Sequence, residues 1–357
     1  MKKPTLCVIF GGKSSEYEVS LRSAYAVLCH LDKEKYDVVR LGITKGGEWY
    51  IFEGENEKIL SDEWHKGSVL PVAVDLTHGN LVVLGKDVYA QEVDLFMPVL
   101  HGGYGEDGRI QGLFDVLDVP YVGCGAESSH VCMDKGLTKL VASGLGVPVA
   151  RGYKLNAKCR MQNAKLTQCG EDIGYPVFVK PTNGGSSVGV TMVEEASALE
   201  SALAVALAYG DALIEEYIDG DEVEVGVLEI GGELTVSPVG MNRHKGKFYD
   251  YEAKYSCQDN EYLIPAPVGE ETAALIRDYA RRLFYGLGCR GFGRFDFFVR
   301  KNGEVVFNEV NTLPGFTDVS MFPKLFMSMG YSFGEILDLI VASGHYVTKF
   351  FQRDLKK

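Results

Sequence analysis

The chain has no apolar run near the roughly 20 residues that a membrane-spanning helix needs, so a helical membrane protein is not indicated. Its opening, Met1-Lys2-Lys3-Pro4 before the short apolar stretch Thr5-Leu6-Cys7-Val8-Ile9-Phe10, lacks the central apolar region and small-residue cleavage site of a secretion signal. The expectation is a cytoplasmic protein with no membrane partner. Positive charge is also in short supply: 36 Lys and Arg against 49 Asp and Glu leave a net charge of −13. That argues against general affinity for nucleic acid, which rests on neutralising phosphates with Lys and Arg. Any anionic ligand must be held by locally placed basic groups. None of the eight cysteines, at 7, 29, 124, 132, 159, 169, 257 and 289, stands in C-x-x-C spacing, so neither a zinc site nor a dithiol redox site is indicated. Most read as reduced, buried small hydrophobes. The chain shows no internal repeat, no H-E-x-x-H and no Ser/His/Asp or Cys/His set in a nucleophile setting. Its chemistry is therefore expected to run through a metal-bound nucleotide rather than a covalent enzyme intermediate.

What is present is an ordinary globular composition, 46% hydrophobic and 24% charged over 357 residues, enough for two or three domains. An apolar strand over residues 4–10 ends at Gly11-Gly12, and a helix is expected from about Glu18 to Leu31. Further strands are expected over 38–43 and 94–100, the second ending at His101-Gly102-Gly103. This alternation reads as an open α/β sheet, where ligands bind beyond the carboxyl ends of strands. A second unit begins near 124, with a helix over 135–145, strands over 149–155, 175–180 and 211–218, and a helix over 195–209. A third carries strands over 222–229 and 233–240, helices over 270–286 and 332–343, and a hairpin between those helices.

The hairpin is the most informative stretch. Asn302-Gly303 is a two-residue turn signal, because both central positions of a type I′ turn need φ > 0. Counting outward from Lys301 opposite Glu304 pairs Val299 with Val306, Asp296 with Glu309 and Arg294 with Asn311. The period of two then puts Phe295, Phe297, Val299, Val306, Asn308 and Val310 on one face, and Arg294, Asp296, Phe298, Phe307, Glu309 and Asn311 on the other. Opposed carboxylates about 5 Å apart repel by roughly 3 kcal/mol at an effective dielectric of about 20, unless a cation lies between them. Oxygen ligands from Asp, Glu and Asn suit Mg²⁺, which also takes waters and substrate phosphates. A surface hairpin with scattered charges is the plain alternative.

Two apparent phosphate motifs fail. Gly12-Lys13-Ser14 resembles the end of a P-loop, but the residue five before Gly12 is Cys7, and Gly286-Leu-Gly288-Cys-Arg-Gly291 follows a helix and precedes a strand, the reverse of a dinucleotide-binding turn. The loop Gly184-Gly185-Ser186-Ser187-Val188-Gly189 is better placed, since small residues let backbone N–H groups approach an anion, with a plain hairpin turn as the lesser alternative. Lys180 just upstream offers a compact positive charge. Lys135 and Lys254 read individually as solvated surface charges, His101 sits at a strand end among turn-forming glycines, and Glu16 on the first loop suits a substrate ammonium or a plain first helical turn.

Taken in order, Gly11-Gly12-Lys-Ser-Ser-Glu16-Tyr-Glu18-Val-Ser20, His101-Gly-Gly-Tyr-Gly-Glu-Asp107-Gly, Met133-Asp-Lys135, Val179-Lys180-Pro, Gly185-Ser186-Ser187-Val-Gly189, Tyr249-Asp-Tyr-Glu-Ala-Lys254-Tyr255, Gly293-Arg294-Phe-Asp296 and Asn308-Glu309-Val-Asn311-Thr-Leu-Pro-Gly315 match a known family. The chain resembles the D-alanine:D-alanine ligases of the ATP-grasp superfamily, nearly end to end. The resemblance implies a three-domain ATP-grasp fold with an N-terminal open α/β domain: 1–123 binding substrate, 124–213 the central ATP-grasp subdomain, and 214–357 the C-terminal subdomain with the metal site. It implies ATP held by Lys135 and Lys180 at the phosphates, Glu215 at the adenine, Glu222 at the ribose and Lys254 near the γ-phosphate. Asp296, Glu309 and Asn311 are implied as ligands of two Mg²⁺ ions, for which Mn²⁺ could substitute. The implied reaction joins two D-alanines, one as donor and one as acceptor, through an acyl phosphate for cell-wall precursor synthesis. Arg294 and the Gly315 N–H are implied to hold the oxygen of the tetrahedral intermediate, Glu16 the donor ammonium, and His101 the donor's orientation. Ser186 and Tyr255, with Glu16, are implied to close a loop over the site. Ser320 and Met321 are implied to line the acceptor pocket. The segment Thr317-Asp318-Val319-Ser320 departs from the Thr-Ser-His-Ser of many relatives. Gly46-Gly47-Glu48-Trp49-Tyr50 resembles the D-alanine:D-serine ligases, but apolar Met321 stands where those tend to have Arg. D-alanine is the expected acceptor, with D-alanine:D-serine ligase and an inactive ATP-binding regulator as alternatives. The family also suggests a homodimer.

Overall fold

The computed structural model describes residues 2–84, 88–158, 163–243 and 261–344. Lys254 and Tyr255 lie outside these described residues.

A seven-stranded sheet is built from β1 (Thr5–Gly11), β2 (Asp37–Ile43), β3 (Trp49–Phe52), β4 (Val69–Val74), β5 (Leu81–Leu84), β6 (Val88–Gln91) and β7 (Leu95–Pro98), in the order β6-β5-β4-β3-β2-β1-β7. β1 runs parallel to both neighbours, β2 and β7. All seven of its residues are buried, as a continuous apolar run requires when helices cover both faces. Parallel pairing is therefore confined to one end of the expected α/β sheet. Strands β3 to β6 extend it as an antiparallel meander, from a stretch where no strand was expected. Their sequences alternate poorly because much of β4 and β6 faces solvent.

The helix Tyr17–His30 follows β1, and its apolar face meets residues from the far end of the chain. Leu6, Val8 and Phe10 share one core with Leu21, Val27, Phe316, Phe322, Ile336 and Ile340. Burial of this shared surface, at about 25 cal/mol per Å² of apolar area, holds the loops after β1 and β7 against the segment that follows the hairpin. The site described below lies on that seam.

A second sheet, β10-β9-β11-β8, is antiparallel throughout and consists of β8 (Gly152–Leu155), β9 (Val177–Pro181), β10 (Thr191–Val193) and β11 (Ala212–Glu216). The helix Leu199–Leu207 packs on it through Leu199, Ala202 and Leu203 against Val177, Val179 and Ile214. The helix Lys135–Gly144 starts at Asp134, whose carboxylate accepts from Gly136 N at 2.9 Å and Leu137 N at 3.0 Å.

The third sheet takes β12 (Gly220–Ile230) and β13 (Glu233–Val236); β14 (Met241–Arg243) pairs separately with β15 (Glu261–Leu263); and β16 (Phe292–Arg300) and β17 (Val305–Asn311) complete the order β13-β12-β16-β17. The helix Glu270–Gly286 lays Ile276, Ala280, Leu283 and Phe284 on Phe295, Phe297 and Phe307.

The β16–β17 hairpin corrects the expected one in two places. Its turn has three residues, not two: Arg300 N bonds Glu304 O at 2.9 Å and Gly303 N bonds Arg300 O at 2.8 Å, with Gly303 at φ +86°. Near the turn the pairs are consequently Val299 with Val305, Phe298 with Val306 and Phe297 with Phe307, one residue off the expected register. A bulge at Asn308 then restores it, so Asp296 faces Glu309 and Arg294 faces Asn311. Phe307, expected beside Glu309, is instead fully buried with Phe297, and Val306 packs on the opposite side with Ala150 and Ile218.

Candidate active site

An open cleft of about 1130 Å³, mouth included, lies where the three sheets meet. Its walls bring together Glu16, His101, Lys135, Ser186, Glu222, Arg294, Asp296, Glu309, Asn311, Gly315, Ser320 and Met321. Lys180 and Glu215 do not line this cleft.

The hairpin supplies the cleft's charged floor. Asp296 is 2% exposed and takes both arms of the Arg294 guanidinium, from Nε at 2.8 Å and Nη2 at 2.7 Å. Asn311 Nδ2 donates to Asp296 Oδ2 at 3.0 Å, and Glu224 on β12 approaches Arg294 Nε at 2.8 Å. Burial works against the Arg294 charge, but Asp296 and Glu224 outweigh it and hold the guanidinium charged. Glu309 pairs with Lys135 at 3.1 Å, and Lys135 also donates to Gly184 O at 2.7 Å. Desolvation opposes the Lys135 charge, yet Glu309 raises its pKa above the ordinary lysine value.

Among the described residues no three His, Cys, Asp or Glu side chains converge on one point. The donor set is instead two carboxylates in cross-strand register and one amide oxygen, with lysine and arginine beside them. Such oxygen donors fit a hard divalent cation that completes its shell with water and phosphate. The residues present therefore suit Mg²⁺ held jointly with a nucleotide.

The loops after β1 and β7 form the opposite wall. Glu16, 8% exposed, accepts a hydrogen bond from Ser186 Oγ, which ties the β9–β10 loop across the cleft. Gly102 at φ +60° lies so close that a Cβ there would stand 2.2 Å from Glu16 Oε2. His101 is buried with both ring nitrogens engaged, Nδ1 to Leu313 O at 3.0 Å and Nε2 to Ser23 Oγ at 2.9 Å. Desolvation drops its pKa to about 4, so the ring is neutral. Glu106 accepts from Gly102 N at 2.6 Å and Leu313 N at 3.3 Å, and burial together with the Glu16 charge pushes its pKa up to about 8.

Gly315 and Ser320 are in contact, since a Cβ on Gly315 would meet Ser320 Oγ at 2.6 Å. Ser320 Oγ accepts from Thr317 N at 3.0 Å, and the helix Met321–Met327 starts directly after it. Met321 is 3% exposed. Glu222 is half-buried on β12 opposite Phe298.

Glu215 sits beside the cleft in a buried triad that composition and spacing did not reveal. Lys139 Nζ lies 2.5 Å from one of its oxygens and Lys180 Nζ 2.5 Å from the other. Desolvation would raise the Glu215 pKa, but the two ammoniums win and hold it at about 2. Lys139 was missed, although its place four residues after Lys135 on a helix puts both on one face. Glu106, Glu224 and Ser23 were missed too. For Glu224 the signal was alternation along β12, where it shares a face with Glu222.

With this geometry in place, the sequence matches two family descriptions: D-ala D-ala ligase N-terminus over residues 5–124 and D-ala D-ala ligase C-terminus over residues 141–342. It is 41% identical over 362 residues to the D-alanine–D-alanine ligase of Ruminiclostridium cellulolyticum, covering 96% of this chain and 95% of the relative. It is 40% identical to that of Acetivibrio thermocellus, covering 95% of each. Among solved structures it superposes on the VanG D-Ala:D-Ser ligase of Enterococcus faecalis with a TM-score of 0.86 at 38% identity, covering 96% of this chain and 99% of that one. On the D-alanine–D-alanine ligase of Coxiella burnetii the TM-score is 0.83 at 31% identity, covering 96% and 94%.

Proposed function

The chain belongs to the D-alanine–D-alanine ligase family, and from that premise we propose how its cleft divides the work of the reaction. The enzyme is an ATP-dependent ligase of ATP-grasp fold that joins two D-alanines for peptidoglycan synthesis, releasing ADP and phosphate. The observation that carries this reading is the Arg294–Asp296–Asn311–Glu309 floor, facing the same cleft as Glu16, Gly315 and Ser320.

Two anions must meet in the first step, when the donor carboxylate attacks the γ-phosphate to give an acyl phosphate. Lys135 and Lys180 offset that repulsion, and Asp296, Glu309 and Asn311 would hold the divalent cations. Two Mg²⁺ ions, or Mn²⁺ in their place, would supply charge neutralisation of the transferring phosphoryl group when bound. Glu215 and Glu222 are assigned to the adenine and ribose, with Lys254 near the γ-phosphate. Glu16 takes the donor ammonium and His101 keeps the donor's loop in place. In the second step the acceptor amine attacks the acyl phosphate carbon and phosphate leaves; Arg294 and the Gly315 N–H face the oxygen that becomes negative, while Ser320 takes the acceptor carboxylate. The hydrogen bond from Ser186 to Glu16 holds the β9–β10 loop over the cleft, Tyr255 is assigned to the same closure, and exclusion of water protects the acyl phosphate from hydrolysis.

We assign three domains, 1–123, 124–213 and 214–357, a homodimeric state and a cytoplasmic location to the same reading. The likeness to a D-Ala:D-Ser ligase makes the acceptor the point to test, because a methyl-sized pocket rejects an added hydroxyl weakly. The experiment follows phosphate release from Mg-ATP with D-alanine alone and with D-serine in competition. Release with D-alanine and D-alanyl-D-alanine as main product supports the assignment. Failure to release phosphate overturns the ligase reading, and D-alanyl-D-serine as main product replaces the acceptor.

A further inference from the structure

The segment Leu313-Pro314-Gly315-Phe316 is pinned from the other side of the seam by three side chains of the N-terminal sheet unit. Leu313 is held at both backbone groups: its N–H donates to Glu106 Oε1 at 3.3 Å, and its C=O accepts from His101 Nδ1 at 3.0 Å. Phe316 N–H donates to Ser23 Oγ at 3.2 Å, and Ser23 Oγ is itself 2.9 Å from His101 Nε2. Between these points lies Pro314, whose ring locks φ near −65°. Fixing the Leu313 peptide plane therefore passes its orientation through the proline to Gly315, whose N–H is bounded on the other side by the pinned Phe316.

Glu106 reaches in the second direction as well. Its other oxygen accepts from Gly102 N at 2.6 Å, and Gly102 lies against Glu16. One carboxyl group thus spans the loop that carries the donor site and the turn that carries the oxyanion site. Its side chain lines the cleft, but both oxygens are engaged by backbone N–H groups, through which it acts.

Resting on the ligase reading above, we propose that Glu106 and Ser23 are positioning residues that set the Gly315 N–H for the acyl-transfer step, with Glu106 fixing the spacing between donor and oxyanion subsites. Hydrogen-bond donors aimed at a developing oxyanion are worth about 10²–10³ in rate when removed outright. Misplacement of one should cost less, on the order of 10–100-fold. The loss should fall on the second step, because the Gly315 N–H has no part in phosphoryl transfer.

The test uses the full chain and the variants Glu106→Gln and Ser23→Ala. Each Glu106 oxygen keeps a lone pair for its backbone N–H whether the carboxyl is ionised or protonated, whereas in Glu106→Gln the amide retains one acceptor and turns its NH₂ toward the other N–H, so one of those bonds is lost. Three readouts are compared: the dipeptide-forming rate, positional isotope exchange in bridge-labelled ATP with D-alanine, which reads formation and reversal of the acyl phosphate, and amide hydrogen exchange over residues 313–316. The expected result is a dipeptide-forming kcat down about 10–100-fold for Glu106→Gln and severalfold for Ser23→Ala. Isotope exchange holds or rises, because the acyl phosphate returns to ATP more often when the second step slows; the KM for ATP stays within about threefold, and exchange over 313–316 is faster in both variants. An equal fall in both steps, an unchanged dipeptide rate, or unchanged amide exchange over 313–316 in both variants overturns the proposal. A wild-type chain that releases no phosphate with D-alanine overturns the ligase reading and this inference together, whereas an active wild type with unaltered variants overturns the inference alone.

Discussion

Replacing Glu215 by Gln removes one negative charge from between two buried ammoniums and leaves the shape almost unchanged. The cost can be worked two ways. Glu215 is 4% exposed, and its pKa moves from 4.5 to about 2 under the pull of Lys139 and Lys180, against desolvation. That gap corresponds to about 3 kcal/mol of stability. Breaking a buried ion pair by deleting one partner costs about 3–5 kcal/mol, because the remaining charge is left uncompensated. Both routes give a large loss at pH 7. The sign of the pH dependence follows from the depressed pKa: the wild-type contribution is full above 4.5 and fades as pH falls through about 2. His101, held at about 4 against an ordinary 6.5, costs both proteins stability that grows as pH falls through that range and is complete below it, so it cancels in the comparison. Urea unfolding followed by circular dichroism at pH 7 and at pH 3 should give a wild-type-minus-variant difference of about 3 kcal/mol that shrinks at the lower pH. Adding Lys139→Met to the variant should recover part of the loss by removing one of the two unpaired charges. A difference under about 1 kcal/mol at pH 7, or one of the same size at pH 3, would refute the triad's energetics.

Asp296→Asn should raise the Mg²⁺ concentration needed for half-maximal ATP use by more than the roughly 10–100-fold typical of partners outside the ligand shell; an unchanged Mg²⁺ titration would remove Asp296 from the metal site. Gly315→Ala places a methyl 2.6 Å from Ser320 Oγ, so it should raise the KM for the acceptor and lower kcat together; wild-type kinetics would show that the turn yields freely. Met321→Arg puts a charge where a buried methionine lines the cleft and should raise the D-serine to D-alanine rate ratio by about tenfold or more. An unmoved ratio in acceptor competition would place the acceptor pocket elsewhere.

How much of this was legible in the chain depends on how local the determining physics is. The helix expected over 270–286 is observed as Glu270–Gly286, and β1 follows its apolar run, because both rest on periodicity within one element. Strands β3 to β6 did not announce themselves, since their burial comes from neighbours rather than from their own alternation. Ser23, Glu106 and Lys139 matter through contacts that join distant parts of the chain, and no spacing rule reaches across 293 residues from Ser23 to Phe316.

The hairpin separates the two cases most sharply. Phe307 and Glu309 have the same parity, so an uninterrupted strand would send both to one face. Phe307 fills the core against Phe297, while Glu309 belongs in the cleft with Asp296. No regular strand meets both demands, and the bulge at Asn308 resolves the conflict by inserting one residue between them. The three-residue turn shifts the register one way and the bulge shifts it back, so the count from Asn302-Gly303 reached the correct carboxylate pair although its turn was wrong. The conflict itself was present in the sequence: a large aromatic and a carboxylate two apart on a strand whose partner alternates cleanly. Deleting Asn308 should therefore leave a regular strand in which Phe307 and Glu309 are adjacent and face opposite sides, with Phe297 still opposite Phe307 and Asp296 still opposite Glu309. Stability should stay within about 1 kcal/mol of wild type and ATP use should persist, because no large side chain changes face. A deletion variant that lost several kcal/mol, as burying the Glu309 charge or emptying the Phe307 site would cost, would show that the bulge does more than set which face each residue takes.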